Sequence, residues 1–470
     1  MANEINVREL VLDSLLDIER NKRTLSEAVS GTLRRYQYMS KQERSFYTRL
    51  TEGTIEYQIQ LDYLLNQISK TPMNKCKPLI RCLFRMSLYQ IRYMNAVPDE
   101  AVCNEGVKLA KKRGFGSLSG YVNGVLRNLV RNKDHLELPK REVSIERYLS
   151  VTYSVPEWLV KAMLGWYSGE VTEGMLQAFL QEAPITVRVN QLHATVSEVR
   201  ERLLEDSIQT EPGIYTDNTL RLQSINYMNR IRAFRQGDIT VQDESSVLQG
   251  YLVQPKAGDW IMDICAAPGG KSLHAAERLW QVEQKAGTEQ ASGKVIARDL
   301  TEDKTERILE NLERMQYPNV EVRCWDARTP DPAYEEKIDI LIADVPCSGL
   351  GVIGRKQDIK YRIREDQLRE LVDLQREILL TARKYVKPDG YLVYSTCTVD
   401  PMENEEQLQW LEAQGGWKRV DITGYLPERL RTEVMGQPGT DLERGYCTLL
   451  PGKQKCDGFF IALLQKTMER

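Results

Sequence analysis

The stretch "DICAAPGGKSLHAAE", residues 263–277, decides the fold of the second half of the chain. The apolar run "WIMDIC" (260–265) passes into small residues and two adjacent glycines, and a helix-type sequence follows. Glycines permit tight backbone turns and let a ligand approach the chain closely. The spacing is neither G-x-x-x-x-G-K-[ST] nor G-x-G-x-x-G, so neither a nucleoside triphosphate nor a dinucleotide is the first expectation. The stretch therefore predicts a strand, a ligand-binding turn and a helix.

Working outward, strand-like runs alternate with helical stretches from residue 236 onward. This alternation is typical of a doubly wound α/β domain with a mostly parallel sheet. Such folds bind ligands at the carboxyl ends of their strands. The polar segment 281–293 is predicted to be a surface insertion. Besides 260–265, the apolar runs lie at 294–300, 320–326, 338–344, 390–397 and 458–466.

Three aspartates stand at the ends of successive runs: Asp299, Asp326 and Asp344. An aspartate after the second strand of such a sheet accepts from both ribose hydroxyls, and one after the third can accept from an exocyclic amine. Aspartates at strand ends are also common helix caps. Three of them in register with a glycine-rich turn favour a nucleoside-containing cofactor without a triphosphate, and S-adenosyl-L-methionine fits that description.

Two further strand ends carry a cysteine each. "IADVPCSGLG" (342–351) contains Cys347, and "LVYSTCTVDPMENEE" (392–406) contains Cys397. Because parallel strands end at the same edge of a sheet, we expect both thiols to face one substrate. The alternative interpretation is two packing cysteines, since free cysteine is among the most buried residue types.

The first half of the chain has a different pattern. Residues 1 to about 135 carry apolar residues at helical 3–4 spacing, which predicts an all-α bundle. A polar linker follows, and the mixed pattern after it predicts a small α+β module. We therefore expect three domains, at 1–140, 146–235 and 236–470, the last of them the α/β domain.

Composition limits the class of protein. The chain of 470 residues is 41% hydrophobic and 28% charged, and it has no apolar run near the roughly 20 residues that span a membrane. Its polar N-terminus does not resemble a signal peptide. Nine widely spread cysteines without a C-x-x-C pair, and only three histidines, predict reduced thiols and no metal site. We expect a monomeric cytoplasmic protein.

Charge is distributed unevenly along the chain. Residues 1–140 hold 23 lysines and arginines against 15 aspartates and glutamates, whereas the other 330 residues hold 41 against 52. A basic N-terminal region followed by an acidic remainder favours a polyanionic partner for residues 1–140. An ordinary solvated helical surface would give the same excess, so the charge alone leaves both interpretations open.

Several motifs together resemble one family. "CAAPGGK" (265–271), "DVPCSGLG" (344–351) and "STCTVDPMENE" (395–405) resemble the RNA cytosine-C5 methyltransferases, and "QDESS" (242–246) and "DGFFIA" (457–462) fit the flanking motifs of that family. The helical front resembles the antiterminator NusB. The combination is similar to the Sun/Fmu group, which methylates a cytosine of bacterial small-subunit ribosomal RNA. The resemblance implies a NusB-like RNA-binding domain and a Rossmann-like class I methyltransferase domain.

The resemblance also implies a cofactor site for S-adenosyl-L-methionine. Asp299 would hold the ribose and Asp326 the adenine amine, while Asp344 would lie between the cofactor and the target base. The methionine end of the cofactor would be lined by Cys265, Ala266, Ala267, Pro268, Gly269, Gly270 and Lys271.

By the same resemblance, Cys397 is the nucleophile and Cys347 assists product release. Cytosine C5 is too weak a nucleophile to attack a sulfonium methyl group until a thiolate adds at C6. A protonated Asp344 would then donate to N3 of the base, which requires that desolvation raise its pKa. Alternatively, Pro346-Cys347 is the nucleophilic pair, as in DNA cytosine-5 methyltransferases. A third interpretation is a non-catalytic RNA-binding assembly or antitermination factor.

The chain departs from the family pattern at three positions. Val345 stands where alanine is usual, Leu350 where threonine is common, and Cys456 where histidine is frequent. The first two changes are mild, and the third leaves the role of Cys456 open.

A basic segment follows the Cys347 motif. "GVIGRKQDIKYRIRED" (351–366) combines cationic and aromatic side chains, which suit phosphate contact and base stacking in RNA. A solvated helix surface is the alternative. The residues predicted to contact RNA are Arg355, Lys356, Lys360 and Arg362.

Overall fold

The chain divides into two compact units. A computed structural model describes residues 5–223, 225, 227–287 and 291–467. The first unit comprises residues 1–180 together with 353–362, and the second comprises 181–352 and 363–470. Among the described residues, no helix combines the length and the apolarity needed to cross a membrane.

The first unit consists of helices, and the second unit has its own helices beside its sheets. The α-helices of the described residues are α1 Val7–Asn21, α2 Leu25–Arg35, α3 Lys41–Glu56, α4 Gln58–Ile68, α5 Pro78–Tyr93, α6 Asp99–Lys112, α7 Ser119–Asn132, α8 Ile145–Thr152, α9 Glu157–Trp166, α10 Gly169–Phe179, α11 Val196–Glu205, α12 Arg232–Arg235, α13 Glu244–Tyr251, α14 Gly270–Lys285, α15 Glu302–Met315, α16 Ile359–Arg362, α17 Glu365–Ala382, α18 Glu405–Ala413 and α19 Glu428–Val434.

All strands of the described residues belong to the second unit. They are β1 Ile185–Val189, β2 Thr210–Pro212, β3 Thr219–Leu222, β4 Ile239–Val241, β5 Trp260–Asp263, β6 Lys294–Asp299, β7 Val320–Cys324, β8 Ile338–Asp344, β9 Val386–Thr396, β10 Trp417–Arg419, β11 Tyr446–Leu449 and β12 Phe459–Lys466.

The first unit is an all-α bundle, as its periodicity predicts. Capping boxes at Thr24 and Ser40 begin α2 and α3, each with a glutamate at the third helical position that returns a hydrogen bond. The central helix α5 begins with Pro78 at its first turn and is buried over most of its length. Apolar residues of α1, α3, α5, α6 and α7 form one core around it.

The first unit also contains residues 353–362, which follow the Cys347 motif in the sequence. Asp358 is buried, and its Oδ2 accepts from the amide of Leu25 at 3.0 Å, where α2 begins. Lys360 Nζ donates to the carbonyl oxygen of Glu56 at 2.9 Å, and the Tyr361 hydroxyl donates to the same oxygen at 2.9 Å. The Tyr361 ring packs against the apolar core of the bundle. These ten residues are therefore an integral part of the helical unit.

A small antiparallel sheet opens the second unit. Its strand order is β2-β3-β1-β4, and α11 and α12 pack on it around an apolar core. This matches the α+β character predicted for 146–235. The predicted range differs from the compact unit, however, because α8, α9 and α10 group with the first unit. One cause is visible at Gln60 of α4, whose Nε2 donates to the carbonyl oxygen of Thr152 at the end of α8 over 2.9 Å.

The large sheet has the strand order β10-β12-β9-β8-β5-β6-β7, and β11 pairs with β12. The five strands β5 to β9 run parallel, while β12 pairs antiparallel with β9. This confirms the predicted α/β domain with a mostly parallel sheet. In the predicted insertion 281–293, α14 extends to Lys285, and residues 288–290 lie outside the described residues.

Candidate active site

The glycine-rich turn joins β5 to α14. Gly269 has φ 102°, a conformation that favours glycine, and a Cβ there would lie 3.2 Å from a methyl carbon of Ile308. The helix begins at Gly270 without a side-chain cap. The first amides of a helix lack partners within the helix and carry the positive end of its dipole. The turn therefore presents amide donors suited to an anionic group such as a carboxylate.

Asp263, at the end of β5, anchors this turn from inside. Its carboxylate is buried and accepts from Ser272 Oγ at 2.6 Å and from the Cys265 amide at 3.4 Å. Burial raises the pKa of Asp263 to about 7. Burial likewise raises the pKa of the Cys265 thiol. Asp263 is not among the site residues predicted from the sequence, although its position at a strand end was the available signal.

Asp299 links the second parallel strand to the same turn. Its Oδ2 accepts from the amide of Ala267 at 2.9 Å, and its Oδ1 accepts from Lys304 Nζ at 2.9 Å. Asp326 lies beyond the end of β7 and accepts from the side chain and the amide of Arg328, which lowers the pKa of Asp326. Asp299 is thus joined to the glycine-rich turn, whereas Asp326 accepts hydrogen bonds from Arg328 of its own loop.

Asp344 and Lys271 form an ion pair at the end of β8. Lys271 Nζ lies 2.6 Å from Asp344 Oδ2, and Ser395 Oγ donates to Asp344 Oδ1 at 2.8 Å. The Lys271 ammonium also lies 5.1 Å from the centre of the Phe459 ring. Burial disfavours the charged form of Lys271, but the carboxylate of Asp344 outweighs it and the pKa of Lys271 is raised. The motifs 265–271, 344–351 and 395–405 therefore meet at this pair.

The two cysteines of the strand ends lie in direct contact. Cys347 Sγ and Cys397 Sγ are 3.2 Å apart. The strands β8 and β9 are in register with Asp344 opposite Ser395, which brings the residues just beyond them together. The amide of Gly351 also donates to the carbonyl oxygen of Cys397 at 3.0 Å. The hydrogen bond to Cys397, together with burial, raises the pKa of Cys347 well above its ordinary value.

The residues around the turn fit S-adenosyl-L-methionine. An uncapped helix start supplies amides for a carboxylate, and Asp299 stands at the adjacent strand end, where its Oδ1 accepts two internal bonds and its Oδ2 accepts one and can accept another. No phosphate-binding pattern competes with this interpretation, because the turn lacks the first glycine of a P-loop.

The four residues predicted to contact RNA differ in exposure. Lys356 and Arg362 are exposed, and Arg355 is half-buried. Lys360 is only 1% exposed, and burial lowers the pKa of its ammonium to about 8. The prediction of RNA contact is wrong for Lys360, since its side chain enters the helical unit and its ammonium binds a backbone carbonyl.

The three departures from the family pattern lie in packed surroundings. Val345 and Leu350 are buried, at 3% and 0% exposure. Cys456 packs against the apolar core that includes β11 and β12, and burial raises the pKa of its thiol well above the ordinary value. These contacts account for Cys456 as a packing residue.

Comparison with known proteins decides the family. Over 468 residues the chain is 33% identical to the probable ribosomal RNA small subunit methyltransferase B of Bacillus subtilis (strain 168), and the alignment covers 98% of this chain and 99% of that protein. Residues 250–465 match the family described as 16S rRNA methyltransferase RsmB/F. The chain belongs to this RsmB/F family. Other RsmB/F features agree: residues 5–131 match the NusB family, and 155–228 match a ferredoxin-like domain of RsmF/B-like methyltransferases.

Solved structures show the same fold. The crystal structure of PH0851 has a TM-score of 0.78 at 24% identity and covers 98% of this RsmB/F chain and 99% of its own. The structure of NSun6 from Pyrococcus horikoshii with SFG has a TM-score of 0.57 at 20% identity, covering 67% of this chain and 99% of its own. At these identities the likeness concerns the fold.

Proposed function

We propose that the chain transfers a methyl group from S-adenosyl-L-methionine to C5 of a cytosine in small-subunit ribosomal RNA. The transfer proceeds through a covalent bond between Cys397 Sγ and C6 of the base. One observation carries the proposal: two thiols lie 3.2 Å apart at adjacent strand ends, beside the Lys271–Asp344 pair and the glycine-rich turn. Two packing cysteines would not require a partly buried ion pair next to them.

The chemistry needs one thiolate and one proton donor. Addition of the Cys397 sulfur forms an S–C6 bond, and the negative charge that develops on the ring is taken up by a proton at N3. C5 then accepts the methyl group, which S-adenosyl-L-methionine supplies when bound to the turn and Asp299. A water molecule then takes the C5 proton, the C5–C6 double bond re-forms as the S–C6 electron pair returns to the Cys397 sulfur, and N3 gives its proton back to the Asp344 carboxylate, which releases the product. Dividing one difficult substitution into addition and elimination is the advantage of covalent catalysis.

The two thiols have different roles in this proposal. In the proposed reaction Cys347 stays protonated, as its raised pKa favours, and it is assigned as the donor in the contact between the two sulfurs, in which either atom could donate. That bond, and the nearby Lys271 ammonium, favour the attacking thiolate. Cys347 then assists the elimination. Asp344 is the residue assigned to N3, and donation from it requires a protonated carboxyl that leaves its contact with Lys271.

Exposed cations after the Cys347 motif support an RNA substrate. Lys356 and Arg362 can bind phosphates, and a flipped or single-stranded cytosine is what the site would receive. The basic excess of residues 1–140 adds a second surface for the polyanion. The cytosine must leave any base stack before C6 is accessible to a sulfur atom.

The test compares cysteine variants on small-subunit RNA with S-adenosyl-L-methionine. Cys397→Ala is expected to abolish both 5-methylcytosine formation and any protein–RNA adduct that survives denaturing electrophoresis. Cys347→Ala is expected to accumulate that adduct. Cys103→Ala, in α6 of the first unit, is the matched control and is expected to behave as wild type.

The same assay separates the alternatives. If Cys347→Ala prevents adduct formation while Cys397→Ala permits it, Cys347 is the nucleophile, as in the DNA-type enzymes. Failure of the wild-type chain to bind S-adenosyl-L-methionine in a titration would support the non-catalytic factor. Bisulfite mapping of ribosomal RNA from cells with and without the protein tests the substrate, and an unchanged small-subunit map would refute it.

A further inference from the structure

The Cys347 loop is held from both sides by two buried polar side chains. Gln375 of α17 donates from Nε2 to the carbonyl oxygen of Pro346 at 2.9 Å, just before Cys347. Glu403 accepts through Oε2 from the amide of Ser348 at 3.0 Å, just after Cys347. Gln375 Nε2 and Glu403 Oε2 are themselves 2.8 Å apart and hydrogen-bonded. The three bonds form a closed bracket around the backbone that carries the thiol.

Burying the polar side chains of this bracket costs free energy. Glu403, Gln375 and Gln407 are all 0% exposed, and burial raises the pKa of Glu403. Gln407 Nε2 donates to Gln375 Oε1 at 2.9 Å, which fixes which end of the Gln375 amide faces the loop. A buried carboxylate whose hydrogen-bond donors are neutral makes a fold less stable than apolar side chains of the same size would. Such an arrangement needs a reason other than stability.

We propose that Glu403, acting with Gln375, is the positioning residue for Cys347 in the methyl-transfer reaction. The inference rests on the proposed function, because Cys347 is the thiol that acts after methyl transfer. Glu403 holds the loop by the Ser348 amide and so fixes the Cys347 sulfur against the Cys397 sulfur. Glu403 touches neither substrate nor cofactor in this role and acts only through Cys347.

A carboxylate fits this position better than an amide. Its oxygens only accept, and Oε2 of Glu403 receives two donors. A glutamine with its oxygen in the same place could still accept from both donors, so the difference between the two side chains lies in the charge. The negative charge acts on Cys347. After the bond to Cys397 and burial, the charge of Glu403 is a further cause that raises the pKa of Cys347. Cys347 thus remains a thiol while Cys397 attacks.

The first test needs neither RNA nor cofactor. In full-length Cys397→Ala protein, the rate of Cys347 alkylation by iodoacetamide is followed from pH 6 to 11 by peptide mass spectrometry. Adding Glu403→Gln is expected to lower the midpoint of the pH profile by about one pH unit. Adding Glu406→Gln, which changes an exposed carboxylate three residues later, is expected to leave the midpoint in place. Adding Glu403→Asp keeps the charge and is expected to retain the profile.

The second test uses the adduct assay in the chain with both cysteines. Glu403→Gln and Gln375→Met are each expected to accumulate the protein–RNA adduct about tenfold over wild type, as Cys347→Ala does, while adduct formation stays fast. A residue that only stabilised the fold would slow adduct formation and leave no accumulation. Gln375→Met retains the Glu403 charge, so it remains informative if Glu403→Gln fails to fold.

The outcomes separate the inference from the proposed function. If the midpoint of the Cys347 alkylation profile is the same in Glu403→Gln as in Glu406→Gln, and no adduct accumulates, the positioning role of Glu403 is overturned. If Cys347→Ala itself accumulates no adduct, the assignment of different roles to Cys347 and Cys397 is wrong. A shift of the alkylation profile would in that case still establish the effect of Glu403 on Cys347.

Discussion

Glu277→Gln should destabilise the second unit through a buried ion pair. Glu277 of α14 and Arg188 of β1 form a salt bridge with side chains 2% and 0% exposed. Glu277 also accepts from the Tyr317 hydroxyl at 2.7 Å and from the Gln191 amide at 3.3 Å. With glutamine at 277, three donors face a side chain with one acceptor oxygen. The Arg188 cation then has neutral partners in place of the carboxylate, among them the oxygen of Gln242, 2.9 Å from its Nε.

The expected cost follows from that geometry. Breaking a buried pair while leaving one charge in place costs about 3–5 kcal/mol. Replacing both partners by apolar residues removes the charge as well, so Arg188→Met with Glu277→Leu should cost less than Glu277→Gln alone. A double-mutant cycle built from Arg188→Met, Glu277→Leu and the two together should give a coupling free energy of at least about 2 kcal/mol.

The assay is urea unfolding followed by tryptophan fluorescence, because five of the seven tryptophans lie in the second unit. Binding of S-adenosyl-L-methionine is measured in parallel. Gln242, the remaining partner of Arg188, lies against Gly270 of the glycine-rich turn, where a Cβ would be 3.6 Å from its amide carbon. Affinity should therefore fall in Glu277→Gln. A loss of stability below about 1 kcal/mol, or a coupling near zero, would refute the reasoning, since such values are typical of exposed pairs.

Three further predictions concern other parts of the chain. Burial raises the pKa of Glu52 from 4.5 to about 7, so the folded chain keeps a proton that the unfolded chain releases in that range. Wild type should therefore lose about 3 kcal/mol of stability relative to Glu52→Gln between pH 4.5 and pH 8, measured as unfolding free energies, and a constant difference would contradict this. Hydrogen peroxide should oxidise Cys347 and Cys397 to a disulfide with release of two waters, since their sulfurs are 3.2 Å apart. Activity should vanish and return with dithiothreitol, and loss without a disulfide in the peptide map would argue against it. Gly351→Ala should cost about 1–3 kcal/mol and lower adduct formation, because a Cβ would come within 2.1 Å of a backbone carbonyl oxygen. Gly424→Ala, with open space around it, is the control for thermal unfolding, and equal melting temperatures would contradict the prediction.

The parallel strands and the candidate functional residues at their ends could be predicted from the sequence. The run 338–344 coincides with β8 because a strand buried on both faces is nearly all apolar. The meeting of Cys347 and Cys397 follows from a rule about parallel strands and needs no knowledge of side-chain packing. The short strands β10 and β11 were not predicted, since three or four residues carry too little periodicity to be recognised.

Other features depend on contacts far apart in the chain. Lys360 looks like a solvated cation in a basic segment, and only its placement against Glu56, 304 positions away, shows otherwise. Gln375 and Glu403 were missed for a similar reason. Their partners are the backbone atoms of Pro346 and Ser348. Hydrogen bonds to backbone atoms cannot be predicted from residue types, because almost every residue has the same backbone groups.

Residues 353–362 affect how the chain can be cut or recombined. The boundary between the two units is crossed at 180/181, 352/353 and 362/363, so one proteolytic cleavage cannot release the helical unit intact. A fragment ending at residue 180 would lose the Tyr361 ring from its core and the Asp358 carboxylate from the start of α2. Transplanting this helical unit onto another enzyme would require ten residues from the middle of the methyltransferase sequence. A sequence that resembles a simple fusion of domains therefore contains a helical unit that is completed by a segment from within the second unit's part of the chain.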